Sequence, residues 1–222
     1  MTRTVAAIIC DFDGVIADSE TIANRSLAAT ISGLGLPTTF DDCLRDYCGH
    51  NWRETERRIE QRLGRALPPR FREEHSRRTR AMLERDLAAV PGVARFLQTH
   101  AGLPMAIASS SRLEYLSWAL GKLGLAHHFA HHLYSAEGWE RGKPYPDIYL
   151  HASEGLGVPP WGCLAIEDSP IGARAAIAAG MRVVGLAAAS HIADREAHAR
   201  MLRSAGVEQV VYAFDEIDLR PG

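Results

Sequence analysis

The sequence has little lysine, little cysteine and no long hydrophobic segment. Only two of its 25 basic residues are lysine, Lys122 and Lys143, so a lysine inside a chemical motif stands out. The four cysteines form no Cys-x-x-Cys pair, and we expect them to be reduced. No run of eighteen apolar residues is present, and the first residues lack the pattern of a secretory signal peptide. We therefore expect a soluble, cytoplasmic protein that does not bind a membrane.

The chain also lacks a strong excess of charge of either sign. Its formal net charge is -2, so no global attraction for nucleic acid is expected. Arginine is concentrated between Asn51 and Arg85, where it outnumbers the acidic residues. Two interpretations of this segment stay open: a solvated helical surface with salt bridges, and a surface that attracts an anionic substrate.

A buried strand near the amino terminus ends in two carboxylates. The apolar run from Val5 to Cys10 leads directly into Asp11-Phe12-Asp13-Gly14, which predicts a parallel strand followed by a polar turn. At the carboxyl end of such a strand, Asp11 and Asp13 can both point into the crevice where open α/β sheets bind ligands. A solvated turn without chemistry is the alternative for this motif taken alone.

The rest of the chain divides into a helical block and an alternating one. Residues 18–90 contain helical patterns and no strand candidate, which indicates an all-helical insertion. Residues 1–17 and 91–222 alternate apolar strands with amphipathic helices at the spacing of βαβ units. We predict an α/β fold with a doubly wound, Rossmann-like parallel sheet, interrupted after its first strand by a separate helical domain.

Polar residues follow several of the predicted strands. Ser109 ends one strand, Glu167 and Asp168 end another, and Lys143 lies in a loop between a strand and a helix. Because the carboxyl ends of parallel strands lie along one edge of a sheet, these residues are expected to meet Asp11 in one crevice.

With these motifs the sequence resembles the haloacid dehalogenase superfamily, in the subgroup with a helical cap that includes β-phosphoglucomutases and sugar-phosphate phosphatases. The resemblance rests on Asp11-Phe12-Asp13-Gly14-Val15, on the strand that ends in Ser109, and on two further motifs. These are Gly142-Lys143-Pro144-Tyr145-Pro146-Asp147 and Ile166-Glu167-Asp168-Ser169-Pro170-Ile171-Gly172-Ala173.

The resemblance implies a role for each residue of these motifs. Asp11 would be the nucleophile that forms an aspartyl-phosphate, and Asp13 would be the general acid and base. Lys143 would neutralise charge on the nucleophile and the phosphoryl group. The Asp11 carboxylate, the Asp13 carbonyl and the Asp168 carboxylate would bind Mg²⁺, with Glu167 an outer or auxiliary ligand. Phosphoryl oxygens would be held by the Ser109 side chain, the backbone amide of Ser110 and the backbone amide of Gly14 or of a residue near it.

Within the superfamily the sequence favours a phosphatase. Asp13 and Asp168 are both present, which argues against a dehalogenase, and no lysine lies between Val15 and Val90 to form the Schiff base of a phosphonatase. Relatives of the β-phosphoglucomutase type carry a histidine where this chain has Ala23, and a cap lysine that is absent here. The mutase remains the second hypothesis, and a catalytically inactive binding module the third.

The expected partner is a small phosphorylated metabolite, a sugar phosphate or a sugar-acid phosphate like those of 6-phosphogluconate phosphatases. Its organic part is expected to contact residues of the helical block and one arginine of the core: Glu20, His50, Asn51, Arg53 and Arg112. We expect the protein to be a monomer or a weak dimer.

Overall fold

The structure is a computed structural model that describes residues 4–47 and 52–219. The chain divides into two compact units, one formed by Met1–Asp18 with Ala88–Gly222 and the other by Ser19–Leu87. We call the first unit the core and the second the cap. Among the described residues, no helix has the length and apolarity that crossing a membrane requires.

The core contains a six-stranded parallel sheet. Its strands are β1 (Ala7–Cys10), β2 (Met105–Ser109), β3 (Leu133–Ser135), β4 (Cys163–Glu167), β5 (Arg182–Leu186) and β6 (Gln209–Val211). Their order is β3-β2-β1-β4-β5-β6, and every neighbouring pair is parallel. This confirms the predicted doubly wound α/β fold. The order reverses between β1 and β4, and ligands of such sheets bind beside the point of reversal.

The cap consists of helices. They are α1 (Glu20–Ser32), α2 (Phe40–Asp46), α3 (Trp52–Leu63) and α4 (Phe71–Asp86). The cap has its own small apolar cluster, which includes Leu27, Ile31, Ile59 and Phe71. Thr39 begins α2 with a capping box, because its hydroxyl accepts from the Asp42 amide while the Asp42 carboxylate accepts from the Thr39 amide.

Arginines of the cap pair with acidic residues of the cap. Arg57 and Arg58 both contact Glu54, Arg77 contacts Glu74, and Arg80 contacts Glu84. Exposed pairs of this kind contribute at most about 1 kcal/mol each. The arrangement favours the interpretation of the arginine-rich segment as a solvated surface with salt bridges.

The helices of the core connect successive strands. They are α5 (Val93–Thr99), α6 (Leu113–Leu123), α7 (Asp147–Leu156), α8 (Pro170–Ala178) and α9 (Arg195–Ser204). One face of the sheet packs against α7 and α8 in an apolar cluster that includes Ile9, Ala165, Ile148 and Ala176. Because β1 is buried along its whole length, Asp11, which follows it, is held at the end of a rigid central strand.

Candidate active site

Three carboxylates converge where β1 and β4 end. Asp11 follows β1 directly, Glu167 is the last residue of β4, and Asp168 comes next. Cys10 is paired with Ile166 in the sheet, and the Asp11 amide donates to the Ile166 carbonyl at 2.9 Å. One oxygen from each of the three carboxylates lies within 4.8 Å of the others, and all three residues are buried.

Lys143 lies between two of these carboxylates. Its ammonium donates to Asp11 Oδ1 and to Glu167 Oε1, each at 2.6 Å, and only 8% of its side chain is exposed. The loop that carries Lys143 precedes α7, so residues 132 positions apart meet here. The structure thus brings Lys143 to Asp11, the proposed nucleophile.

Both carboxylate oxygens of Glu167 accept several hydrogen bonds. Oε1 accepts from Lys143 and from the Tyr149 hydroxyl at 2.6 Å, and Oε2 accepts from the amide and the hydroxyl of Ser169 at 3.2 and 3.0 Å. Gly172, in the first turn of α8, leaves the space for this group, because a Cβ there would meet Glu167 Oε1 at 1.7 Å. Glu167 is therefore held in one orientation.

Asp168 lies against Gly14 and two histidines. A Cβ on Gly14 would meet Asp168 Oδ2 at 1.9 Å, and Gly14 adopts a φ of +84° that glycine accommodates without strain. The His198 ring Nε2 lies 2.5 Å from the Asp168 carbonyl oxygen, and His191 Nε2 lies 3.8 Å from Oδ2. The glycine of the Asp-x-Asp-Gly motif is thus explained by the close approach of Asp168.

The electrostatics of the cluster favour an additional cation. Burial raises the pKa of Asp11 to about 7; Lys143 opposes the shift and the Glu167 carboxylate adds to it. Burial by itself lowers the pKa of Lys143, but the carboxylates of Asp11 and Glu167 outweigh it and hold that pKa above its usual value. The Lys143 ammonium thus contacts two of the three buried carboxylates, and oxygen donors of this kind suit a hard divalent ion.

Asp13 accepts hydrogen bonds from two hydroxyl groups. Ser111 Oγ donates to Asp13 Oδ2 at 2.6 Å, and the Tyr115 hydroxyl donates to Oδ1 at 3.1 Å. Ser111 follows β2, and Tyr115 lies in the first turn of α6. The carboxylate of the second aspartate therefore has partners that differ from those of Asp11.

The groups predicted to bind phosphate differ in their burial and in the hydrogen bonds that they already make. Ser109 is buried at the end of β2, where its hydroxyl accepts from the Ser111 amide at 3.0 Å, and Ser110 beside it is exposed. The Gly14 amide donates to the Ala17 carbonyl at 2.8 Å. The expectation that this amide holds a phosphoryl oxygen does not fit the arrangement, because its hydrogen is already bonded within the turn.

Of the residues expected to contact the organic part of the substrate, the structure describes Arg112, Glu20 and Arg53. Arg112 pairs with Glu137 at 2.8 Å with 72% of its side chain exposed. In the cap, Glu20 accepts from the Asn24 amide at 3.2 Å, and Arg53 is exposed on α3. His50 and Asn51 lie outside the described residues.

Several residues of the site were not predicted from the sequence. Four of them donate hydrogen bonds to carboxylates, and the fifth contacts the backbone carbonyl of Asp168: Ser111, Tyr115, Tyr149, Ser169 and His198. For two of them, Tyr115 and Tyr149, the position in the sequence could have indicated a place in the site. Tyr115 lies four residues after Ser111, and Tyr149 lies in the first turn of α7, six residues after Lys143.

Comparison with known proteins agrees with this geometry. The model of a hydrolase family, the haloacid dehalogenase-like hydrolases, matches residues 5–180. The 6-phosphogluconate phosphatase of Escherichia coli K12 is 26% identical over 189 residues, which is 84% of this chain and 85% of that protein. The fructose-1-phosphate phosphatase YqaB of the same strain is 29% identical over 184 residues, 83% of this chain and 97% of the other.

A solved structure shares the complete fold. The haloacid dehalogenase-like protein ATU0790 from Agrobacterium tumefaciens superposes with a TM-score of 0.85 at 34% identity, and the match covers 95% of both chains.

Proposed function

Because this chain belongs to the haloacid dehalogenase-like hydrolase family, we propose that it hydrolyses a sugar phosphate or a sugar-acid phosphate through an aspartyl-phosphate on Asp11, with Mg²⁺. Its family and its phosphatase relatives make it a phosphoric monoester hydrolase. The 6-phosphogluconate and fructose-1-phosphate phosphatases support the choice of substrate class.

One observation carries the proposal: the Lys143 ammonium bridges Asp11 and Glu167 at 2.6 Å, with Asp168 in the same cluster. A carboxylate that attacks a phosphate dianion meets like-charge repulsion, and a buried cation reduces it. The cluster would therefore supply the nucleophile and one of the cations that the reaction needs.

In the first step, an Asp11 oxygen would bond to phosphorus as the bond from phosphorus to the leaving oxygen breaks. Asp13 would donate a proton to that oxygen, so that a neutral alcohol departs. In the second step, Asp13 would take a proton from water as the water oxygen attacks phosphorus, which releases phosphate and restores the Asp11 carboxylate. Covalent catalysis would divide the reaction into two steps with lower barriers. General acid–base catalysis typically increases the rate by about 10²- to 10⁴-fold.

The acidic cluster also fits the metal that the family implies. The Asp11 and Asp168 carboxylates and the Asp13 carbonyl would hold Mg²⁺, which prefers oxygen ligands and would neutralise charge on the phosphoryl oxygens. Glu167 accepts hydrogen bonds at both oxygens, which supports an outer position for it. Its role would be to hold Lys143 and the strand end that carries Asp168.

Two groups of residues would recognise the substrate, one at its phosphoryl group and one at its organic part. The Ser109 hydroxyl and the Ser110 amide would hold phosphoryl oxygens. Residues predicted to contact the organic part, Glu20, His50, Asn51, Arg53 and Arg112, would select among sugars and sugar acids; the Arg112 pair with Glu137 would have to open for this.

The experiment measures inorganic phosphate released from a panel of hexose, pentose, polyol and sugar-acid phosphates, with Mg²⁺ and with chelator. The native protein is compared with Asp11→Asn and with Asp215→Asn, an exposed aspartate in the core. We expect Mg²⁺-dependent release that Asp11→Asn abolishes and Asp215→Asn retains. Isomerisation of β-glucose 1-phosphate without net release of phosphate would instead establish the mutase.

A further inference from the structure

Two hydroxyl groups from one short stretch of chain donate hydrogen bonds to Asp13. Ser111 Oγ donates to one carboxylate oxygen at 2.6 Å, and the Tyr115 hydroxyl donates to the other at 3.1 Å. Both donors come from the segment in which β2 passes into α6. Asp13 itself follows β1, so two different strand ends are joined through its side chain.

Aromatic packing holds Tyr115 in place. Its ring meets the fully buried Phe12 edge-on, with the centroids 5.7 Å apart and the planes at 89°. Trp118, in the same helix, lies 6.1 Å from it. Because Phe12 is the chain neighbour of Asp13, the contact that anchors the ring also keeps the hydroxyl beside the carboxylate.

Backbone hydrogen bonds hold Ser111. Its amide donates to Ser109 Oγ at 3.0 Å, and its carbonyl accepts from Ser135 Oγ at 2.7 Å. The Ser111 hydroxyl is therefore tied to the ends of β2 and β3. Through Ser109, the same bonds connect the position of Asp13 to a residue that we place at the phosphoryl group.

We propose that Tyr115 and Ser111 are positioning residues that hold the Asp13 carboxyl group in the orientation from which it transfers its proton to the leaving oxygen. The inference rests on the proposed function and deepens it. Two donors on a carboxyl group, one at each oxygen, oppose its rotation, so the proton reaches one defined place. The effect should be largest where the leaving oxygen needs that proton most.

The choice of substrate separates this role from a structural one. A sugar alkoxide is a poor leaving group and depends on a general acid, whereas p-nitrophenolate leaves well without one. The ratio kcat/KM reports the first step for both substrates, which is the step in which Asp13 donates. A defect in positioning lowers this ratio for the sugar phosphate, and a general loss of structure lowers it for both.

The variant for the test is Tyr115→Phe, which removes the hydroxyl and keeps the ring on Phe12. We expect kcat/KM for fructose 1-phosphate, or for the sugar phosphate of the panel that is hydrolysed fastest, to fall about three- to tenfold, the size of one hydrogen bond. We expect kcat/KM for p-nitrophenyl phosphate to change by less than about twofold. Ser111→Ala should act in the same direction.

Tyr212→Phe is the matched control. It removes another bond from a tyrosine hydroxyl to a carboxylate, the one to Glu196 at 2.6 Å on the surface of the core. Both substrates should be hydrolysed at the native rate. In an Asp13→Asn background, Tyr115→Phe should have no further effect, because the group that it positions is gone.

Three results would overturn the inference. They are an equal loss on both substrates, no change on either, and a full additional loss in the Asp13→Asn background. Native protein that releases phosphate from neither substrate would overturn the proposed function, and the inference with it. Native release together with an equal loss in Tyr115→Phe would overturn the inference alone.

Discussion

At the scale of single residues, the positive charge of Lys143 allows the carboxylates of Asp11 and Glu167 to be buried together. Asp11 and Glu167 are both buried, and each lies 2.6 Å from the same ammonium. Removing one partner from a buried ionic cluster leaves its charges uncompensated, which costs about 3–5 kcal/mol. The sequence offers a matched control, because its other lysine, Lys122, is exposed in the last turn of α6.

We therefore predict that Lys143→Ala lowers the free energy of unfolding by about 3–5 kcal/mol in the presence of chelator. Lys122→Ala should lie within about 0.5 kcal/mol of the native protein. Urea unfolding followed by circular dichroism measures both. Equal stability of the two variants would contradict the compensating role of Lys143.

His75 in the cap is partly buried beside groups that do not favour its charged form. Its ring stacks on Trp52 at 5.0 Å, and Nδ1 lies 3.5 Å from the hydroxyls of Ser26 and Thr79. Burial lowers its pKa from 6.5 to about 4. The unfolded chain thus takes up a proton at this residue before the folded one does as the pH falls.

The lowered pKa of His75 makes the free energy of unfolding depend on pH. The contribution of neutral His75 to the free energy of unfolding is complete above pH 6.5, and it is lost as the pH falls towards about 4. Between these limits we predict that native stability falls by up to about 3 kcal/mol more than that of His75→Gln. His127→Gln, at an exposed position, should keep the native slope. Urea unfolding at pH 7.5 and 4.5 tests this, and an unchanged slope in His75→Gln would refute it.

At the scale of elements, hydrogen bonds and close packing around Glu167 hold the connection from β4 to α8. Ser169 begins α8, and its hydroxyl accepts from the Gly172 amide at 3.0 Å while it donates to Glu167. Gly172 lies against the Glu167 carboxylate. The helix therefore cannot begin with a larger residue at this position without displacing a buried acid.

We predict opposite effects for two glycine-to-alanine changes in helices. Gly172→Ala would place a Cβ 1.7 Å from Glu167 Oε1, and overpacking of this kind costs about 1–3 kcal/mol. Gly121→Ala in α6 meets no atom within 4 Å, and the better helix former should add about 0.5–1 kcal/mol. Thermal unfolding compares the two, and stabilisation by Gly172→Ala would contradict the packing.

At the scale of the whole molecule, the order of the strands assembles the acidic cluster. β1 lies between β2 and β4, so Asp11 has the end of β4 on one side and that of β2 on the other. The cluster belongs to the folded state, because Asp11 and Asp168 are far apart in the chain. An ion that binds this cluster therefore stabilises the fold by mass action.

We predict that Mg²⁺ at about 100 times its dissociation constant stabilises the protein by about 2.7 kcal/mol. For a chain of this length that shifts the melting temperature by roughly 5–10 °C. Asp168→Asn should lose the shift and Asp215→Asn should keep it, as measured by thermal unfolding with Mg²⁺ and with chelator. A shift that survives Asp168→Asn would place the ion elsewhere.

The sequence by itself determined the types of element and the strand ends that carry acids. Continuous apolar runs such as Ala7–Cys10 form strands because they are buried on both faces, and turn residues limit where each element ends. Asp11, Lys143 and Asp168 were therefore recognisable from motifs that are local in the chain. The same motif predicted a phosphate ligand in the Gly14 amide, which the structure shows bonded to Ala17.

Only the tertiary structure decided which groups meet. The order of the strands, the bonds from Ser111 and Tyr115 to Asp13, and the bond from Tyr149 to Glu167 join residues that are distant in sequence. No local pattern encodes such partners, because a serine or tyrosine near a strand end has the same propensities whether or not a carboxylate lies opposite. Packing of the helices on the sheet sets those distances, and with them the surroundings of each acid.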